Sequence, residues 1–294
     1  MAPVKKVTES KVKPKLITAI IISLFFAIAL FLRVYLPYQQ VFTDVGIKFT
    51  SNDTYFFMRL VDNLVYNFPY YTAADPYLIY PGAGGVSINF FVWLLAIPAW
   101  IIGLGSPSQH TIDLISVFLP AVMGALTVFP VYFIGRELFG RWAGIFSAGL
   151  IAILPGEFLG RAILGFTDNH VAETLFTAVT MVFLILAIKA ASQRQLSFSH
   201  LRNRDWATIK KPLFYSLLAA IFMGIYIFTW LGALLFVFIT FLFFILQFII
   251  DHLKQKSTGY LCFVGIIFFF VTLIMAQLVS SRILYIASLI IAVL

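Results

Sequence analysis

Charge is scarce in this chain. Of its 294 residues only 11% are Asp, Glu, Lys or Arg, against 62% hydrophobic ones. A water-soluble domain carries about 25% charged and 45–50% apolar residues. Too little polar side chain is present to cover a globule, which excludes a soluble fold, even one with a large apolar helical core. Cysteine is nearly missing as well. The lone Cys262 allows no disulfide within the chain and no cysteine metal site. Set in an apolar block, it reads as a small hydrophobe. Acidic residues are the rarer charge, 12 against 20 basic ones, for a net charge of +8. The basic residues sit in short loops between apolar blocks, which argues against a nucleic-acid partner and matches the loops of membrane proteins.

What the chain does have is long apolar runs, such as 16–32, 212–230, 231–250 and 260–279. Each approaches the roughly 20 residues a helix needs to cross about 30 Å of hydrocarbon. Lipid leaves open backbone unsatisfied, so the runs must be helices. The fold class is therefore all-α, a polytopic membrane helix bundle with the bilayer as its first partner. A basic leader, residues 1–15, carries Lys5, Lys6, Lys11, Lys13 and Lys15 ahead of the first run. That run is longer than a signal-peptide core and no small-residue cleavage site follows it. We read it as an uncleaved first span with its amino terminus in the cytoplasm.

The block 88–104 decides the topology. It contains Pro98 and is barely long enough to cross. If it lies in the interface as part of an external loop over 37–110, the spans fall near 16–36, 111–134, 142–158, 170–190, 212–230, 231–250 and 259–279. The inside then holds the leader lysines with Arg136, Arg141, Lys189, Arg194, Arg202, Arg204, Lys210, Lys211, Lys254 and Lys256. Only Arg33, Lys48, Arg59, Arg161 and Arg282 remain outside. If the block crosses, most of the basic residues move outside. The positive-inside rule favours the interfacial reading. The protein is then a multi-pass protein of the cell membrane whose long first loop and the loop around Asp168 face one external compartment. That first loop is acidic, with Asp44, Asp53, Asp62 and Asp75, and a structured loop of such length is a functional one. The final block, 283–294, is too short to span, so we expect the chain to stop partway through a longer protein or helix.

Two stretches place polar groups where helices leave the membrane: 51–63 and 154–170. In the second, Asp168 and His170 are two residues apart at the start of a span. Such a pair can offer a carboxylate oxygen and an imidazole nitrogen to a divalent cation. Asp53 can add an oxygen from across the cleft. Asp168 alone suits a helix N-cap equally well. Arg161 can hold a phosphate or snorkel to headgroups. Arg59 can stay in its own loop, pairing with Asp62 or Asp53, and Glu173 can support His170 or merely pack. Asn52-Asp53-Thr54 matches a glycosylation sequon, a pattern that often arises by chance.

Taken in order, these stretches resemble the catalytic STT3/AglB family of oligosaccharyltransferases, above all its archaeal members. The matching residues are Asp53 and Tyr55 with Met58-Arg59-Leu60-Val61-Asp62-Asn63, then Leu154-Pro155-Gly156-Glu157-Phe158, then Gly165-Phe166-Thr167-Asp168-Asn169-His170. Thr229-Trp230-Leu231-Gly232 adds to them. The resemblance implies a membrane module of GT-C type over 16–294 with a long first external loop. It implies inverting transfer of a glycan from a dolichyl-(pyro)phosphate carrier to the asparagine of an acceptor polypeptide with Asn-x-Ser/Thr. By the same resemblance, Asp53 is the catalytic aspartate that also holds the metal and engages the acceptor amide. Asp168 and His170 are the remaining metal ligands, Arg161 binds substrate, and the cofactor is Mn²⁺ or Mg²⁺. The sequence departs from the family in having Thr54 where a proline follows the aspartate. It also lacks the Trp-Trp-Asp-Tyr-Gly domain and the later loop with the catalytic glutamate. We therefore expect a front part of such an enzyme, truncated at its C-terminus, with a second chain as one source of the rest. Two other readings stand beside it: another GT-C enzyme using a polyprenyl-phosphate sugar, and a non-catalytic membrane subunit or transporter.

Overall fold

The computed structural model describes residues 14–72, 74–78, 81, 84–85 and 88–279. The leader up to residue 13, Arg282 and the block 283–294 lie outside the described residues. Helix α1 (Pro14–Tyr35) leads into one-turn α2 (Tyr38–Val41) and a small antiparallel hairpin, β1 (Phe42–Thr43) and β2 (Gly46–Ile47), with Phe42 opposite Ile47. Next come α3 (Asn52–Tyr66), a second such hairpin of β3 (Ala74–Asp75) and β4 (Gly84–Gly85), and α4 (Phe90–Ile102). The bundle continues with α5 (Gln109–Leu126), α6 (Val128–Phe139), α7 (Arg141–Ile153), one-turn α8 (Glu157–Gly160) and α9 (His170–Gln193). It closes with α10 (Phe198–Arg202), α11 (Trp206–Thr229), α12 (Ala233–Leu253) and α13 (Gly259–Val279).

Among the described residues six helices are long and apolar enough to cross a membrane: Lys15–Val41, Gln109–Phe139, His170–Gln193, Trp206–Thr229, Ala233–Leu253 and Gly259–Leu278. The span expected over 142–158 is shorter than drawn from the sequence, because α7 stops at Ile153. Pro155 bars the residue before it from helical geometry, and Leu154 is accordingly extended, at φ −61° and ψ 119°. Even so, α7 runs the depth of the bundle. Its first residue, Arg141, lines a cavity with Lys15 at the start of α1, and Arg33 in the last turn of α1 donates to the Ala152 carbonyl at 3.1 Å.

Close backbone contact lets α6 and α7 form a tight hairpin. A Cβ on Gly135 would lie 2.9 Å from Gly144 Cα, and one on Gly144 would lie 2.7 Å from the Tyr132 carbonyl. Small residues at such crossings are how helices pack in lipid, where van der Waals contact has to replace the hydrophobic drive. Helices α9 and α11 also pack closely, and Ala172, Ala187, Ala219 and Ala220 on them are fully buried. Helix α12 is the least enclosed of the later spans, with Leu235, Phe238, Ile239 and Leu246 exposed on an apolar surface.

The long first loop is more ordered than its sequence suggests. Helix α3 buries Phe57, Met58, Leu60, Val61, Leu64 and Val65. It lies against α4, whose Phe91, Val92, Leu95, Ala96 and Ala99 point inward. The helix expected near 88–104 is thus present as 13 residues, about 20 Å at 1.5 Å per residue.

Candidate functional site

Two segments build a cleft at the end of the bundle where α1 finishes. One is the first turn of α3, which carries Asp53 at the positive end of the helix dipole. The other is the connection from α7 to α9, residues 154–169. Three bonds stitch them together. Thr50 N–H donates to the Gly165 carbonyl at 3.1 Å, and Thr167 N–H to Thr54 Oγ1 at 3.0 Å. The Thr167 hydroxyl then donates to the Ser116 carbonyl on α5 at 2.7 Å. Thr54, Ser116 and Thr167 are fully buried. Gly165 makes the close approach possible: its φ is +80°, and a Cβ there would sit 2.9 Å from Val41 Cγ2.

Asp168 is 3% exposed. Its Oδ1 accepts the Asn169 N–H at 2.6 Å, and its Oδ2 faces His170 Nε2 at 3.5 Å. Asn169, not Asp168, holds the N-cap position of α9, so the capping reading of Asp168 is not realised. The other ring nitrogen of His170, Nδ1, lies 3.1 Å from Glu173 Oε1. That buried oxygen is close but poorly aligned, and no hydrogen bond reaches it among the described residues. His170 therefore sits between two carboxylates.

Burial pushes the Asp168 carboxyl above the usual carboxylate range, His170 and the Asn169 N–H pull it back, Asp53 raises it again and Arg161 lowers it. Asp53 and Arg161 thus lie within the electrostatic reach of Asp168. A buried carboxylate with a second carboxylate in reach resists ionisation unless a cation is near. Arg161 Nε donates to Glu157 Oε2 at 2.6 Å, one turn apart on the rim. That pair borders two hollows. One, of about 520 Å³, includes Ser51, Asp53 and Phe166; the other, of about 310 Å³, includes His170 and Glu173.

Asp53 and Arg161 border one hollow and His170 and Arg161 the next, with Asp168 beside His170, so residues from two distant parts of the chain lie near one another. They do not close into a cage. Among the described residues no three His, Cys, Asp or Glu side chains stand close enough to enclose an ion. Asp168 and His170 pair, and exposed Asp53 faces them from α3.

Other residues differ from expectation. Arg59 does stay in its own loop, but it binds Asp75 at 2.6 Å and lies over the Tyr77 ring. Arg33, counted from sequence among the charges on the outer side, is fully buried. It donates to the carbonyls of Ala29, Ile151 and Ala152 and lies 5.2 Å from the Phe158 ring. A cation on the last carbonyls of a helix caps it, and here it fixes the root of the 154–169 segment. The Glu157–Arg161 pair is a signal that sequence reading misses, though its spacing of four is the one that lets helical side chains meet. In the sequon, Asn52 is exposed while the Thr54 side chain is buried and already bonded.

Comparison with known proteins identifies relatives of one family. The family model for the oligosaccharyl transferase STT3, N-terminal, matches residues 20–294. The AglB dolichyl-monophosphooligosaccharide–protein glycotransferase of Haloferax volcanii is 32% identical over 237 residues, 80% of this chain and 22% of that one. The solved AglB of Archaeoglobus fulgidus, in complex with an inhibitory peptide and a dolichol-phosphate, superposes with a TM-score of 0.83 at 26% identity. It matches over 95% of this chain and 32% of its own. A structure of the Archaeoglobus fulgidus oligosaccharyltransferase with zinc and sulfate gives 0.75 at 26% identity, over 92% and 34%. The chain thus spans about a fifth of the length of the curated relatives it matches and a third of the solved ones.

Proposed function

The chain belongs to the oligosaccharyl transferase STT3 family, and from that premise we propose that it forms the front part of an enzyme transferring a dolichyl-(pyro)phosphate-linked glycan to the asparagine of Asn-x-Ser/Thr. The observation that carries the proposal is the meeting of Asp53, Asp168, His170 and Arg161 at one cleft, across more than a hundred residues of chain. The Archaeoglobus relatives were captured with dolichol-phosphate and peptide, and with zinc and sulfate, which are the ligand classes this cleft suits.

The donor types suit a divalent cation, which would have to draw Asp53 toward Asp168 and His170 to be enclosed. The set offers one dry carboxylate, one imidazole and a second carboxylate facing them, with the orphaned Glu173 oxygen behind. Asp168 and His170 would hold the ion with help from Asp53, and an imidazole ligand favours Mn²⁺ over Mg²⁺. Such an ion, when bound, offsets charge developing on the leaving phosphate. The protein groups have their own tasks. Asp53, exposed at the α3 terminus, accepts the N–H of the acceptor amide and orients it, since an amide nitrogen needs close placement to attack. Arg161 turns from Glu157 to the phosphate, where a guanidinium binds two oxygens at once. Glu173 steadies the His170 ring from its far side.

We place the cleft outside the cell membrane, with α4 lying in the interface and the leader in the cytoplasm, because Lys15, Arg136, Arg141 and Lys189 gather at the opposite end. The test uses the full chain in detergent, with Mn²⁺ binding read by electron paramagnetic resonance and dolichyl-phosphate binding by thermal shift. Asp168→Ala and His170→Ala should each weaken Mn²⁺ binding at least tenfold, and Arg161→Gln should weaken dolichyl-phosphate. Unchanged Mn²⁺ binding in both Asp168→Ala and Asp53→Ala would remove those residues from their assigned role.

A further inference from the structure

At the end of the bundle remote from Asp168, α1, α6 and the start of α7 enclose a cavity of about 660 Å³. Its wall is apolar, with Ile22, Phe129 and Phe133, and Lys15, Arg136 and Arg141 also line it. A neighbouring hollow on α1 and α7, of about 520 Å³, has Phe25, Trp142 and Phe146 but no charged group. The cations are thus particular to the first cavity.

Most of that charge is not neutralised among the described residues. Glu137 takes both Arg136, at 2.5 Å, and Lys189, at 2.9 Å, so one carboxylate answers two cations there. Lys15 and Arg141 have no carboxylate within ion-pair distance among the described residues. Arg141 lies over the Trp142 ring at 5.4 Å, and its Nε is shielded from solvent with no hydrogen-bond acceptor among the described residues. A donor held away from water without an acceptor is costly. An anion supplied from outside removes that cost.

We propose that this cavity binds one anionic phospholipid, with its phosphate among Lys15, Arg136 and Arg141 and an acyl chain along the Ile22–Phe129–Phe133 wall. The cations stand at the ends of membrane helices, the level at which headgroups gather, and basic pockets between spans are known to hold anionic headgroups. Arginine is weakly hydrated and presents paired donors to phosphate. Free phosphate would leave the aromatic wall uncovered, so the occupant is a lipid drawn from the bilayer. The site is separate from the proposed transfer cleft, and it stands if that reading fails.

The experiment is native mass spectrometry of the full chain released from detergent with phosphatidylglycerol or phosphatidylcholine at equal concentration. One phosphatidylglycerol should stay bound under conditions that strip phosphatidylcholine. Lys15→Gln and Arg141→Gln should each weaken its retention roughly fivefold, and Ser23→Phe, which fills the cavity without touching charge, should abolish it. Circular dichroism checks that each variant keeps its helices. Equal retention of the two lipids, indifference to all three substitutions, or displacement of phosphatidylglycerol by an equal concentration of inorganic phosphate would overturn the proposal.

Discussion

The Thr54 hydroxyl accepts the Thr167 N–H at 3.0 Å, with both residues out of solvent. It thereby ties the turn that presents Asp53 to the turn that presents Asp168. A proline at this position, which the family resemblance leads one to expect, has no hydroxyl and could not make the tie. Removing the acceptor leaves a buried donor unmet, at a cost of about 1–3 kcal/mol. Thr54→Val should therefore lower unfolding stability by about that amount and weaken Mn²⁺ binding, while Thr54→Ser should restore both. Calorimetric unfolding together with Mn²⁺ titration checks this. A Val variant that loses stability yet binds Mn²⁺ normally would mean that the hydroxyl only packs the fold.

Among the elements, α3 shows best what the sequence does and does not disclose. The long spans are readable because bilayer thickness sets their length, and 231–250 differs from α12 (Ala233–Leu253) only at its edges. Helix α3 is harder to see, since Asp53, Arg59, Asp62 and Asn63 interrupt its apolar residues. Its signal is the spacing of Phe57, Leu60, Val61, Leu64 and Val65, which marks one helical face. The pairing of Asp168 with His170 is legible because two residues suffice for it. The Thr54–Thr167–Ser116 chain is not, because it joins three elements that only the fold brings together.

Helix α3 docks on α5 through Gln109, whose amide donates to Asp62 at 3.2 Å and to Asp113 at 3.0 Å, while Tyr66 OH donates to its oxygen at 2.9 Å. Burial raises the Asp62 carboxyl above its usual range of 3.8, Gln109 pulls it down and Asp113 pushes it up. A raised carboxyl binds its proton more tightly folded than unfolded. Its contribution to stability is complete below pH 3.8 and is lost as pH rises through the folded value. Asp62→Asn should flatten that fall and raise the neutral-pH melting point. Melting curves from pH 4 to 8 measure it, and parallel curves for the two proteins would refute the linkage.

For the whole molecule, the proposed direction in the membrane rests on basic side chains gathered at one end and the cleft at the other. In a Cys262→Ala background, Tyr70→Cys should react with an impermeant maleimide on intact cells. Lys256→Cys should react only after permeabilisation. The reverse pattern would invert the topology. The lengths of the relatives add a further point, since about two thirds of each solved enzyme lies beyond the part matched by this chain. The cleft described here is one wall of a larger chamber on our reading.

On the proposed function, an enzyme that marks asparagines and carries Asn52-Asp53-Thr54 in its own chain would run the hazard of marking itself. Folding removes the hazard. Asn52 remains in view, but the threonine hydroxyl by which such a target is recognised is withdrawn into the Thr167 bond. On that proposal the tripeptide would be an open target only before the Thr54–Thr167 bond forms.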